Sequence, residues 1–216
     1  MSDKKTLDDI RREYLQGGLS ESNLNVDPIK QFDIWLQQAI QAKLFADPTA
    51  MNLATVDEQN RPSQRTVLLK KVNDDGFVFF TNLGSHKAKD IETNPNVNLH
   101  FAWLPLERQI SIQGTAHKLS LTDNAKYFLS RPRDSQLAAW TSRQSKGIGS
   151  RKMLDMAFEQ IKNKFKNNEI PVPDFWGGYL VKPERIEFWQ GGAKRLHDRF
   201  EYQLKDGVWQ LNRLQP

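Results

Sequence analysis

The sequence predicts a mainly β, α+β fold: an antiparallel barrel of short strands with helices packed outside it. Short runs rich in β-branched and aromatic residues alternate with clusters of turn residues along most of the chain. Hairpin-length turns join these runs more often than helices do, which argues against a βαβ pattern. Neither G-x-G-x-x-G nor G-x-x-x-x-G-K-[ST] occurs, so a dinucleotide fold or a P-loop lacks its mark.

The elements follow in order. Thr6 to Gln16 is a helix candidate with Leu7, Ile10 and Tyr14 on one side, stopped by Gly17-Gly18. It belongs to a polar arm, residues 1–25, expected to be mobile when alone. A stronger helix begins at Asp27-Pro28, where Asp can cap and Pro suits the first turn. Its apolar stripe is Phe32, Trp35, Leu36, Ala39, Ile40 and Leu44, and Asp47-Pro48 ends it.

From Met51 the period changes: "MNLATV", "QRTVLLKKV" and "GFVFFT" read as strands of antiparallel hairpins. Ser85 can cap a short helix through about Glu92, after which "VNLHFAW" and "RQISIQGTAHKL" bring the strands before the middle to five. Helices return from Leu121 to Leu129 behind a Ser120-to-Asp123 capping box, and from about Ser150 to Lys166, closed by Pro171 and Pro173. "GGYLVK", "RIEFWQ", "KRLHDRFEYQL" and "VWQLNRL" are further strands, with "KDG" as the last hairpin turn.

A chain of 216 residues is read as a single domain, residues 1–216, with a sizeable core. No apolar run spans a bilayer and "MSDKKTLDDIRREYLQ" lacks a secretory stretch, so a soluble, unexported, cytoplasmic protein is expected, with no membrane partner. Zero cysteines exclude disulfides, thiolate zinc sites and a cysteine nucleophile. No spacing of His, Asp and Glu makes a metal site, so metal-free chemistry is expected. A net charge of +5 and a pI near 9.3 suggest anionic partners.

Where the cations sit narrows the choice. In "RTVLLK", Arg65 and Lys70 fall on opposite faces of a regular strand, so their convergence needs a bulge or a strand end; surface charges flanking a strand account for the same residues. In "GSHKAKDI", Ser85, His86 and Lys87 stand at a helix start suited to phosphate, and simple capping is the alternative. "SRPRDSQLAAW" repeats the arrangement, with Asp134 or Ser135 able to cap a helix from about Gln136 and Arg131 free for bidentate contact. In "FWQGGAKRLHDRF", an extended segment after Gly191-Gly192 would put Arg195, His197 and Arg199 on one face, beside Trp189, which can flank a planar ring. A solvated strand face is the alternative there. Taken together, the clusters suit an aromatic ligand carrying phosphate. His100 and His117 read as solvated strand positions.

The blocks "RTVLLK", "FFTNLGSHKAKDI", "ERQISIQG", "YFLSRPRDSQLAAWTSRQS", "FWGGYLV" and "IEFWQGGAKRLHDRF" resemble the pyridoxamine/pyridoxine 5′-phosphate oxidase family, from roughly Arg11 to the C-terminus. The resemblance implies a split β-barrel homodimer with FMN at the subunit interface. It implies oxidation of pyridoxamine 5′-phosphate or pyridoxine 5′-phosphate to pyridoxal 5′-phosphate. Dioxygen is the acceptor, hydrogen peroxide a product, and ammonia is released from the amine.

Carried over by matching motif, FMN is held by Arg65, Thr66, Val67, Leu68, Leu69 and Lys70, by Phe80, Thr81, His86 and Lys87, and by Gln109, Gln144, Ser145, Trp189 and Arg199. The substrate meets Lys70, Tyr127, Arg131 and Ser135 through its phosphate, and Arg195, Leu196 and His197 at its ring, while Arg11, Arg12, Glu13 and Tyr14 can fold across as a lid. Arg195 and His197 are the implied catalytic pair, orienting the amine or alcohol and easing its proton loss. Two departures stand out: His86 where the family commonly has Arg, and Phe80 where Tyr is often found. The competing classes are another flavin split-barrel reductase and a basic barrel binding nucleic acid; the cations form short clusters rather than the continuous stripe that nucleic acid requires.

Overall fold

The computed structural model describes residues 13–15 and 17–216. The helix expected over Thr6 to Gln16 falls almost wholly outside them. The first helix, α1 (Pro28–Ala42), starts as its sequence requires: Asp27 accepts from the Ile29 backbone N–H, and Lys43 closes the last turn in a left-handed conformation. Phe32, Trp35, Leu36 and Ala39 of its stripe are buried, whereas Ile40 and Leu44 are exposed.

Six strands, one more than expected, precede the middle: β1 (Ala50–Val56), β2 (Pro62–Leu68), β3 (Lys71–Asn73), β4 (Gly76–Asn82), β5 (Asn96–Trp103) and β6 (Arg108–Lys118). The extra one arises because "QRTVLLKKV" breaks after Leu68. There the Leu69 N–H donates to Thr49 O (2.9 Å) and the Lys70 N–H to Val78 O (2.8 Å), so the chain leaves one partner for another. Helix α2 (His86–Thr93) lies between β4 and β5.

Helices α3 (Leu121–Ser130), α4 (Arg133–Thr141) and α5 (Arg151–Lys164) follow. Ser120 and Ser150 accept from the backbone N–H of Asp123 and Met153, so both expected caps are made. Helix α4 differs: its N-cap is Pro132, and Asp134 and Ser135 lie inside the first turn instead of capping a later start. Its first turn is closed by the Pro132 carbonyl, which accepts from the backbone N–H of Ser135 (2.9 Å) and Gln136 (3.1 Å).

The C-terminal strands are β7 (Trp176–Gln190), β8 (Asp198–Lys205) and β9 (Val208–Leu214). "GGYLVK" and "RIEFWQ" are one strand. Pro183 does not break it, because β7 pairs with β4 through Trp176–Val181 and with β8 through Arg185–Gln190, which leaves the proline between the two registers. Gly114 is required nearby, since a Cβ there would sit 2.0 Å from Lys182 O. Asp206 and Gly207, both with positive φ, form the expected hairpin turn between β8 and β9.

The strands form one sheet in the order β2-β1-β5-β6-β7-β4-β3, with β8 on β7 and β9 on β8. The chain divides into two compact units: the described residues up to Pro48 with His100–Ile112 and Glu184–Pro216, and Thr49–Leu99 with Gln113–Pro183. In the first, Phe32 packs on Phe101 and Trp35 edge-on to Phe188. In the second, Met51, Leu53, Phe77 and Phe79 are buried, and Phe128, Leu137, Phe165, Ile170 and Trp176 make a separate cluster beneath the helices. Each such side chain contributes about 1.5–3 kcal/mol by leaving water. Among the described residues no helix is long and apolar enough to cross a membrane.

Candidate active site

The second unit holds a cleft of about 380 Å³. Thr66, Val67 and Leu68 of β2 line it, with Lys70 beyond the strand end; β4 adds Phe80, Thr81 and Asn82, and α2 adds Lys87. Tyr127 comes from α3 and Arg131 from its C-cap, followed by Ala138, Ala139, Ser142, Gln144 and Trp176. Three cations and no carboxylate line it.

Their surroundings differ. Lys87 Nζ donates to Gln144 Oε1 (2.8 Å) and Thr81 Oγ1 (3.2 Å). Burial and the neighbouring positive charge of Arg65 lower its pKa to about 8, against the opposing pull of Asp90. Arg131 lies over the ring of Trp176, 4.9 Å from its centroid, and makes no ion pair among the described residues. Its Nη1 is buried without a hydrogen-bond partner. Burial disfavours its charge and, conversely, raises the pKa of the Tyr127 phenol. Phe80 stacks between the two other rings, 3.9 Å from Tyr127 and 5.1 Å from Trp176, so the floor of the cleft is a set of nearly parallel aromatic planes. A half-buried arginine with an unpartnered, buried donor over an aromatic plane is a ready site for an anionic, planar ligand.

Other expected residues of this unit lie around the cleft without lining it. Leu69 is buried in the core. Arg65 turns toward β1, donating to Thr55 Oγ1 and Ser63 Oγ at 2.6 Å each. The His86 side chain is exposed, and its backbone N–H donates to Ser145 Oγ (3.3 Å). Ser85 occupies the N-cap position of α2 but makes no cap; its hydroxyl is buried without a partner. Ser135 is half-buried. Asn82, Ser142 and Trp176 are cleft residues that the sequence reading missed.

The first unit has its own cleft, about 370 Å³, lined by His100, Gln109, Ser111, Glu187, Trp189, Arg199 and Pro216. Here the cation is answered: Arg199 Nε donates to Glu187 Oε1 at 2.7 Å and Nη1 to Gln215 O at 2.9 Å. His100, expected to be solvated, is half-buried in this wall, and burial lowers its pKa against the pull of Glu187.

The expected common face of Arg195, His197 and Arg199 does not form. Lys194 and Arg195 adopt positive φ in a 3-10 turn over Ala193–Arg195, and the strand begins only at Asp198. Arg195 and Leu196 are exposed as a result. His197 folds back: its Nδ1 accepts from the Gly192 N–H (3.1 Å), which leaves Nε2 to carry the proton of the neutral ring. Trp189 lies 4.6 Å and Tyr14 5.1 Å from the His197 ring. Tyr14 also covers Gly191, where a Cβ would meet its ring at 2.5 Å. Of the expected lid, Glu13 is exposed, and Arg11 and Arg12 lie outside the described residues.

Comparison with known proteins agrees along the chain. Residues 36–165 match the family profile described as pyridoxamine 5′-phosphate oxidase, and residues 176–216 match the pyridoxine 5′-phosphate oxidase C-terminal dimerisation region. A relative from Hahella chejuensis called pyridoxine/pyridoxamine 5′-phosphate oxidase is 64% identical over 210 residues, 97% of this chain and 99% of its own length. A relative of the same name from Teredinibacter turnerae is 60% identical over the same shares. Among solved structures, PhzG from Burkholderia lata, in complex with tetrahydrophenazine-1-carboxylic acid, superposes with a TM-score of 0.86 at 26% identity, covering 92% of this chain and 98% of that one. A pyridoxamine 5′-phosphate oxidase-related, FMN-binding protein from Nostoc punctiforme shares the fold, with a TM-score of 0.71 at 17% identity over 88% of this chain and 97% of that one.

Proposed function

The chain belongs to the pyridoxamine 5′-phosphate oxidase family, and from that premise we propose that it oxidises pyridoxamine or pyridoxine 5′-phosphate to pyridoxal 5′-phosphate, with dioxygen as final acceptor. The fold is the antiparallel split β-barrel with peripheral helices, and the enzyme is an FMN-dependent oxidoreductase. We place it in the cytoplasm as a homodimer with FMN at the subunit interface; the match to the dimerisation region supports the dimer.

The observation that carries the reading is the orphaned Nη1 of Arg131 in a cleft with three cations and no carboxylate. A phosphate monoester supplies the missing acceptor. Lys70 and Arg131 hold that phosphate, with Tyr127 and Ser135 beside them, and charge-assisted hydrogen bonds contribute about 1.5–3 kcal/mol each. Anchoring the phosphate fixes the pyridine ring, so binding energy far from the reacting carbon serves the chemical step.

FMN, when bound, supplies the two-electron acceptor that side chains lack. The residues that would hold it are Arg65 to Lys70, Phe80, Thr81, His86, Lys87, Gln109, Gln144, Ser145, Trp189 and Arg199. Several already surround Lys87 in a polar cluster suited to an anion. At the substrate carbon we assign His197 as a hydrogen-bond donor that orients the amine or alcohol, since with Nδ1 accepting from the Gly192 N–H its neutral ring offers Nε2–H. Arg195, exposed and with a positive φ, contributes charge to the same step by orienting the amine or alcohol.

The test is the visible absorption spectrum of the purified protein under anaerobic conditions, before and after pyridoxine 5′-phosphate is added. A flavin spectrum that bleaches, then returns in air with pyridoxal phosphate and peroxide formed, is expected. Flavin that binds without bleaching points to a different split-barrel activity.

A further inference from the structure

Asp90, on α2 one turn beyond Lys87, is a half-buried carboxylate with no part in holding the substrate or moving its proton. Its Oδ2 accepts from Thr55 Oγ1 at 2.6 Å and Ser63 Oγ at 3.3 Å, and stands 3.8 Å from Arg65 Nη2. Thr55 and Ser63 are register partners across β1 and β2. Arg65 closes the circuit: Nη1 donates to Thr55 Oγ1 and, at 3.3 Å, to Leu53 O, while Nη2 donates to Ser63 Oγ. A guanidinium can only donate and an ionised carboxylate can only accept, so each hydroxyl gives its hydrogen to Asp90 and its lone pair to Arg65.

We propose that Asp90 is a positioning residue for the flavin phosphate, fixing Arg65 through the hydroxyls of Thr55 and Ser63 as the second cation beside Lys87. The inference rests on the oxidase reading. Without a carboxylate the two hydroxyls lose the acceptor that orients them, and the guanidinium is free to swing away. Arg65 and Asp90 both act electrostatically on Lys87, with opposite signs, which places all three in one charge cluster. A cation already held in place gives up less freedom when the anion arrives. Asp90 needs no contact with the ligand to do this.

FMN and riboflavin share the ring and differ by the phosphate, so their dissociation constants, read from flavin fluorescence on the full-length protein freed of flavin, separate the two effects. Asp90→Asn is expected to weaken FMN binding by about tenfold, or about 1.4 kcal/mol, and to leave riboflavin within about twofold. Asp90→Glu, which keeps the charge, recovers most of the loss. Ser63→Ala, at an exposed strand position, moves FMN the same way by less and carries the test alone should Asp90→Asn not fold. Equal weakening of both flavins, no change in either, or tighter FMN binding overturns the proposal. An unaltered protein that binds neither flavin sinks the oxidase reading and this inference together; an FMN preference that both variants leave intact sinks the inference alone.

Discussion

The two clefts hold their positive charge in opposite ways. In the unit of Lys70, Lys87 and Arg131, no lining residue is a carboxylate and Arg131 keeps a buried donor unpaired. In the unit of Trp189 and His197, Arg199 is matched by Glu187 at 2.7 Å and capped by a backbone carbonyl. Unspent charge marks a place where a ligand can complete the electrostatics, whereas a paired charge such as Arg199 holds its own wall in place before any ligand arrives.

Substituting the two arginines separates these roles most sharply. Arg131→Met should cut kcat/KM for pyridoxine 5′-phosphate by about a hundredfold, the cost of about two charge-assisted hydrogen bonds, while leaving the melting temperature near its starting value. Arg199→Met leaves Glu187 unpaired and should lower stability by about 2 kcal/mol, read in urea unfolding of the flavin-free protein. If Arg199→Met proves neutral for stability, or Arg131→Met proves the more destabilising, the contrast between the clefts fails.

The protonation of Lys87 sharpens it further. With a pKa lowered to about 8, Lys87 is a cation at neutral pH and loses its proton as pH rises past that value. FMN affinity should therefore fall between about pH 8 and 10, and Lys87→Arg should flatten that fall, as titrations across the range will check. The sign for stability is the reverse. The unfolded chain binds the proton more tightly than the folded one, so stability of the flavin-free protein rises from about pH 8 toward the ordinary lysine pKa, 10.5.

The smallest effect concerns an orphan outside the cleft. Tyr179 is 1% exposed with its hydroxyl unpartnered, and burial pushes its pKa up to about 12. Tyr179→Phe removes an unmet polar group and should raise the melting temperature by about 2–4 °C with turnover unchanged, by differential scanning calorimetry and assay.

Local chemistry made much of this legible in advance. Asp27-Pro28, Ser120, Ser150 and the "KDG" turn act within a few residues of themselves, and each forms the cap or turn its sequence dictates. Some local signals misled, since Ser85 makes no cap and α4 starts at Arg133 instead of about Gln136, and other failures depended on partners distant in the chain. Pro183 looks like a strand end until β7 is seen to exchange β4 for β8 there. The alternation assumed for Arg195, His197 and Arg199 is undone by two left-handed residues that no local pattern announces. Arg65 reads as a free cation in "RTVLLK", and only the folded chain brings Asp90 to it. Trp176 carries no sign in sequence that it will stack beneath Arg131.

The most direct test of the account is the anaerobic rate at which pyridoxine 5′-phosphate and unphosphorylated pyridoxine bleach the bound flavin, in the unaltered protein and in Arg131→Met. If uncompensated cations hold the substrate by its phosphate, the ester bleaches far faster than the alcohol and the substitution removes most of that advantage. Equal rates for the two compounds in the unaltered protein would contradict it.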